Sequence, residues 1–289
     1  MYHPFILFTI MHMALGLVTY LSARLLGFDH WLFLHDWSMG EFISVALGFG
    51  VTGGVLALIF SKPLVKYFYH IKILSNPGYG RQRWLVDRVE ELAMQAGIEA
   101  PDVGIFKSAE INALAAGYSK HHALIAISST MLETFDPDEL DAVLGHEIAH
   151  ITNGDMQTHA LLHGGLNTYM LFLPHLVGRL VDRFFLRTPA YHGMTYRFIH
   201  ILFMLGVSNL AILLVSWFSR QREFRADARA AHLVGPEKVI AALRSLYLDT
   251  YPHTNVTQSW YQPLIDFLIQ PFMTHPSLQE RIAALRTMQ

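Results

Sequence analysis

The chain has 289 residues, 52% of them hydrophobic and only 15% charged, with a formal net charge of −2, 17 histidines and no cysteine. A soluble domain carries about 25% charged residues, so this composition argues against an ordinary soluble enzyme and a disordered chain. The missing cationic field argues against a nucleic-acid binder. Without cysteine, any metal has to be held by imidazole and carboxylate.

Four stretches lack Asp, Glu, Lys and Arg over about the 20 residues that a bilayer core requires: 1–23, 42–61, 156–178 and 198–219. The first reads as a retained anchor, since no Lys or Arg precedes its apolar run as a signal peptide demands. The loop after it holds Asp29, Asp36 and Glu41 against Arg24, whereas Lys62, Lys66, Lys72, Arg81 and Arg83 follow the second stretch. Positive residues stay on the cytoplasmic side, so residues from 62 onward begin inside. The loop after the third stretch carries Arg179, Arg183, Arg187 and Arg197 against Asp182. It would lie outside if both later stretches spanned. A re-entrant or protein-covered hairpin removes that conflict and gives His159, His163 and His175 a polar place. Two to four transmembrane helices are expected, with the third open.

Between and beyond these stretches the pattern turns amphipathic. Leu85, Val89, Leu92 and Ala96 set a helical period over 81–96, closed by Gly97. Short β-type runs follow at 103–106, 110–115 and 123–128, a small sheet of about three strands. Asp136-Pro137-Asp138-Glu139 carries the cap, first-turn proline and capping box of a helix through 151. Further helices are expected over 220–234, stopped by Gly235-Pro236, then to 248, and from Ser277-x-x-Glu280 to the end. The chain divides into a transmembrane hairpin (1–61), a catalytic part with the sheet (62–155), a hydrophobic hairpin (156–219) and a C-terminal helical part (220–289).

The helix after Asp136 carries His146-Glu147-Ile148-Ala149-His150. Two histidines four apart share one helix face and can bind one zinc, and the intervening Glu reaches water beside the metal. A third ligand is required. The extended motif with a downstream Gly and His fails, because Asn153 and Met156 stand there. Glu223 and Asp227, four apart, offer one carboxylate to the metal and one to orient a ligand imidazole. Spacing alone equally allows an exposed charged helix balanced by Arg220, Arg222 and Arg225. Asp155, His159 and His163 also recur at four-residue spacing. They read as a polar stripe facing a water-filled cavity rather than a second metal site. His121 and His122 read as turn residues, Gly78-x-Gly80 lacks a dinucleotide loop's third glycine, and Asn255-Val256-Thr257 is a sequon without consequence inside the cell.

Five segments in order carry a family resemblance: Ile111-Asn112-Ala113-Leu114-Ala115-Ala116-Gly117, Ala142-Val143-Leu144-Gly145 leading into the histidine motif, Asn153-Gly154-Asp155-Met156, Arg222-Glu223-Phe224-x-Ala226-Asp227, and Thr274-His275-Pro276-Ser277-Leu278-x-x-Arg281. They resemble the HtpX family of bacterial membrane-bound zinc proteases, related to the CaaX prenyl endoproteases. The resemblance implies a mainly α membrane protein with a small β-sheet, its zincin-type (gluzincin) catalytic domain joined to the membrane helices. It implies one Zn²⁺ per chain on His146, His150 and Glu223, Glu147 as general base, and Asp227 behind a ligand. His275 is the expected extra donor to the oxyanion, and Arg281 an expected structural ion pair. The 112–116 strand is expected to offer an open edge to extended substrate, with Asn112 and Ala113 in contact. Family membership implies a multi-pass protein of the bacterial inner membrane, with its catalytic domain in the cytoplasm and misfolded membrane proteins as substrates. A CaaX-type processing enzyme would carry more spans than four. A zinc transporter or sensor would want ionisable residues in the first two stretches, which offer almost none.

Overall fold

The computed structural model describes residues 39–75, 77–166, 194–250 and 273–288. The first expected membrane stretch, the acidic residues Asp29 and Asp36, most of the third stretch, the arginines from 179 to 187 and Asn255 lie outside the described residues.

Helix α1, Met39–Phe68, runs 30 residues and passes the expected end at Ser61 by nearly two turns. Its part Gly50–Phe68 is the one helix among the described residues long and apolar enough to cross a membrane. Val51, Val55, Leu56, Ile59, Phe60 and Leu64 on it are all exposed, unlike the side chains of a core helix. The helix ends in a Schellman turn: His70 takes φ 50°, the Ile71 N–H donates to the Lys66 carbonyl at 3.0 Å, and the His70 N–H donates to Tyr67 at 3.3 Å.

Four strands, one more than expected, form a mixed sheet: β1 Lys72–Ile73, β2 Asp102–Phe106, β3 Ala113–Gly117 and β4 Ala123–Ser128. The order is β1-β2-β4-β3, with β2 and β4 parallel and the other pairs antiparallel. Strand β4, in the middle and covered on both faces, is buried at every residue, as its unbroken Ala-Leu-Ile-Ala-Ile run requires. The strand expected over 110–115 starts instead at Ala113, because the Glu110 N–H turns onto the Ser108 hydroxyl at 3.0 Å. It continues to Gly117, whose φ of 144° and 2.1 Å clearance to the His122 carbonyl admit only glycine at the turn into β4.

The remaining helices are α2 Arg81–Ala96, α3 Ser129–Thr134, α4 Pro137–Asn153, α5 at 155–166, α6 Met194–Val234, α7 Pro236–Thr250 and α8 Leu278–Arg286. The capping box at Asp136 and Glu139 forms as expected, and Gly154 at φ 71° ends α4 two residues past Ile151. Helices expected separately over 198–219 and 220–234 are one 41-residue helix, since no Gly or Pro stands at their junction. The core joins Leu85, Val89 and Leu92 of α2, Ile125 and Ile127 of β4, and Leu140, Leu144, Ile148 and Ile151 of α4. On the sheet's other face, Phe106, Leu124, Ala126 and Ile71 pack with Val65 of α1. The architecture is thus mostly helical around a small mixed sheet, with α1 on one side and the histidine-bearing helix on the other.

Helix α5 crosses α1 at close range. A Cβ on Gly54 would meet the Ala160 carbonyl at 2.7 Å, and one on Gly164 would meet the Gly50 carbonyl at 2.9 Å. Small residues let the two backbones touch, as is usual between helices in lipid.

Candidate metal centre

His146 and His150 project from one face of α4 towards α6, where Glu223 faces them. The two Nε2 atoms stand 3.1 Å apart, with a Glu223 oxygen 3.7 Å from the first and the other 3.5 Å from the second. Glu223 and His150 are buried, and one donor atom from each of the three residues fits within 4.8 Å. Ligand atoms at zinc's bond length of about 2 Å, set tetrahedrally, stand roughly 3.3 Å from one another. The observed separations match that figure.

The outer nitrogens explain why both Nε2 atoms are free to ligate. His146 Nδ1 lies 3.0 Å from Asp227 Oδ1, and His150 Nδ1 lies 2.6 Å from Asp155 Oδ2. The His150 Nδ1–H donates to Asp155, which leaves a lone pair on its Nε2, and Asp227 beside the Nδ1 of His146 favours the same tautomer there. Two lone pairs aimed at each other across 3.1 Å repel, and a cation between them turns that repulsion into attraction. The donor set therefore fits zinc.

Asp227 lies against the outer nitrogen of His146. Asp155, expected with His159 and His163 in a polar stripe, opens the helix α5 that carries all three and shares Arg222 with His159, and it also reaches His150. Gly154 turns the chain by its left-handed φ, bringing Asp155, 1% exposed, under the His150 ring. Arg222 and Arg225 approach its carboxylate at 3.7 Å. His159 meets the Arg222 guanidinium at 3.0 Å and packs on His163. The adjacent Gly154-Asp155 pair, a left-handed stop followed by an acid, was the signal available in the sequence.

The C-terminal segment closes the site. Arg281 donates twice to Asp227, both bonds at 2.6 Å, and its guanidinium lies 3.7 Å from Glu223. The expected ion pair thus braces the carboxylate that orients His146. His275, its side chain two-thirds exposed, puts Nδ1 3.1 Å from Glu223 Oε2. Burial opposes charge on Glu223, yet His275, His146 and Arg281 hold its carboxyl well below the ordinary carboxylate range. Burial likewise opposes charge on Asp227, and Arg281 and His146 again outweigh it, lowering that carboxyl too. Burial pulls the His150 imidazole down, but the Asp155 bond and the charges of Glu147 and Glu223 raise it on balance.

Glu147 is buried beside the first histidine. Asn112 gives its carbonyl to the Ser128 N–H at 2.8 Å and its own N–H to the Ser128 hydroxyl at 3.1 Å, so its main chain faces inward. In the antiparallel register, Ala113 opposite Ile127 and Ala115 opposite Ile125 alternate with such pairs. Their N–H and C=O groups point to the open side of β3, the outermost strand of the sheet. His121 pairs with Glu99 at 2.9 Å and His122 stacks on Tyr118, both in the turn expected for them.

A His-Glu-x-x-His helix facing a glutamate from a second helix defines a zinc peptidase of the glutamate-ligand class. Comparison with known proteins agrees. Residues 80–289 match the profile of Peptidase family M48. The chain is 39% identical over 287 residues to a "Protease HtpX homolog" of Thiobacillus denitrificans, covering 98% of this chain and 99% of that one. It is 38% identical to "Protease HtpX" of Pseudomonas entomophila, covering 97% and 98%. The crystal structure of S. mikatae Ste24p superposes with a TM-score of 0.65 at 18% identity, over 96% of this chain and 64% of that one, a likeness of fold. The chain belongs to peptidase family M48, and its resemblance to the HtpX proteases extends over nearly its whole length. It is a membrane zinc endopeptidase.

Proposed function

We propose that His146, His150 and Glu223 hold the zinc and that Glu147 is the general base for peptide hydrolysis, with misfolded membrane proteins as substrates. The observation that carries this reading is the convergence of two carboxylate-braced imidazoles and Glu223 on one point. Zinc supplies a Lewis acid there, acidifying water and polarising the scissile carbonyl. Glu147 takes a proton from the attacking water and returns it to the leaving nitrogen. His275 uses Nδ1 on Glu223 and turns its other nitrogen to the substrate oxygen as charge develops there. An extended substrate adds as a strand along β3, bonding to the main chain of Ala113 and Ala115. Such pairing ignores side-chain identity, which suits the clearance of varied unfolded segments.

The topology belongs to the same reading. Helix α1 and the stretch over 198–219 span the inner membrane of a bacterium, and the basic residues that follow α1 keep the catalytic domain in the cytoplasm.

The test is cleavage of an unfolded protein by detergent-solubilised, chelator-treated chain, with and without added Zn²⁺. Wild type should regain cleavage with zinc. Glu147→Gln should bind zinc equally and lose about 10²–10⁴ in rate. Equal cleavage by both would remove Glu147 as base.

A further inference from the structure

We propose that the cavity at the foot of α1 binds the phosphodiester headgroup of an anionic glycerophospholipid. The cavity holds about 500 Å³ and is lined by Lys62, Pro63, Lys66, Tyr67 and Ile71. It exists because of the Schellman turn: the left-handed His70 folds Ile71 back beneath Lys66, so the last helical turn and the chain leaving it border a broad depression open to the outside. Ile71 is buried and gives the floor, while Lys62 and Lys66, four apart, stand on one side of the helix.

The charges in the cavity are unequal in freedom. Lys62 is fixed, its ammonium 3.0 Å from Asp102 and donating to the Ala123 carbonyl at 3.2 Å. No carboxylate among the described residues pairs with Lys66, so the cavity keeps one uncompensated positive charge. Tyr67 lines the same cavity. A monoanionic phosphodiester matches that charge.

The surroundings specify a lipid over a free anion. The cavity sits where the membrane-length apolar segment ends. Tyr67, Phe68 and Tyr69 are exposed there, at 71%, 69% and 46%, as aromatic side chains are at a headgroup level. Ile59, three residues before Lys62 and four before Pro63, and Val55, four before Ile59, continue up the same side and are exposed. They offer acyl chains an apolar path leading away from the headgroup. Basic pockets at membrane-helix ends are a recognised means of holding acidic lipids.

The proposal rests on α1 lying in the bilayer and is independent of the peptidase chemistry. Full-length protein, with zinc content measured in every sample, is titrated in neutral detergent micelles with phosphatidylglycerol and with phosphatidylcholine, and bound lipid is counted by native mass spectrometry. Wild type should retain phosphatidylglycerol about tenfold more tightly than phosphatidylcholine. Lys66→Glu should erase that preference. Arg244→Glu, a charge reversal on an exposed residue of α7, on the far side of the sheet from α1, should keep it. Equal loss in both variants, or in neither, would overturn the proposal. Displacement of the lipid by millimolar inorganic phosphate would also overturn it, by making the cavity a plain anion site. Co-sedimentation with phosphatidylcholine vesicles reports separately whether α1 anchors the chain.

Discussion

Asp155 stands one residue beyond the glycine that ends α4, and that single left-handed step decides what it does. It stays in line with His159 and His163 along α5, and the turn at Gly154 also brings it to accept a 2.6 Å bond from His150. Periodicity cannot reveal such a bond, because it crosses the point where the period breaks. Glu223 and Asp227 were legible as a pair, yet spacing left open whether they were a site or a solvated face. Burial and Arg281 decide between these. Removing an orienting carboxylate typically lowers metal affinity about 10–100-fold. Asp155→Ala should therefore weaken zinc binding by that factor in competition with a fluorescent chelator, and Asp155→Asn should recover part of it. Unchanged affinity in Asp155→Ala would remove Asp155 from the metal site.

At the scale of elements, the helices were legible wherever they carried their own stop and start signals. Asp136 with Glu139, Ser277 with Glu280, and Gly97 gave boundaries that match the structure closely. The strands were less so. Two-residue β1 has no pattern of its own and forms because Lys72 and Ile73 lie along β2, while Glu110 was lost to a local serine turn. The junction at 219–220 was invisible for the opposite reason: a change from apolar to charged sequence alters the surroundings of a helix without ending it. Two substitutions test the elements. Asp136→Ala removes a cap worth about 1 kcal/mol and should lower the melting temperature by a few degrees without changing zinc stoichiometry. Gly54→Leu puts a side chain where a Cβ already meets the Ala160 carbonyl at 2.7 Å. It should separate α1 from α5, seen as a lower melting temperature in detergent, whereas Gly53→Leu, whose Cβ meets nothing within 4 Å, should leave it unchanged.

Across the whole molecule, composition told of a membrane from the first line, and exposed Val51, Val55 and Phe60 on α1 bear that out. Acid stability is also a property of the whole. Glu223 and Asp227 have carboxyls lowered in the folded state, so the stability they contribute is present above their unfolded values near pH 4 and is lost as pH falls through the folded ones. Zinc-free protein should lose stability on acidification below about pH 5, and Asp227→Asn should flatten that fall. A melting temperature of zinc-free wild type that stays level down to pH 3 would contradict the assignment.

Only the turn at His70 separates α1 from β1, and Val65 and Lys62 fasten the helix to the sheet on the way. There is no hinge here for the catalytic domain to swing on, so it drifts in the plane of the bilayer with its height nearly fixed. Search for substrate then becomes two-dimensional. What the enzyme meets is whatever dangles within a domain's depth of the lipid, and a cleavable segment on a short membrane tether should be cut faster than the same segment free in solution at equal bulk concentration. Selection by altitude needs no recognition sequence.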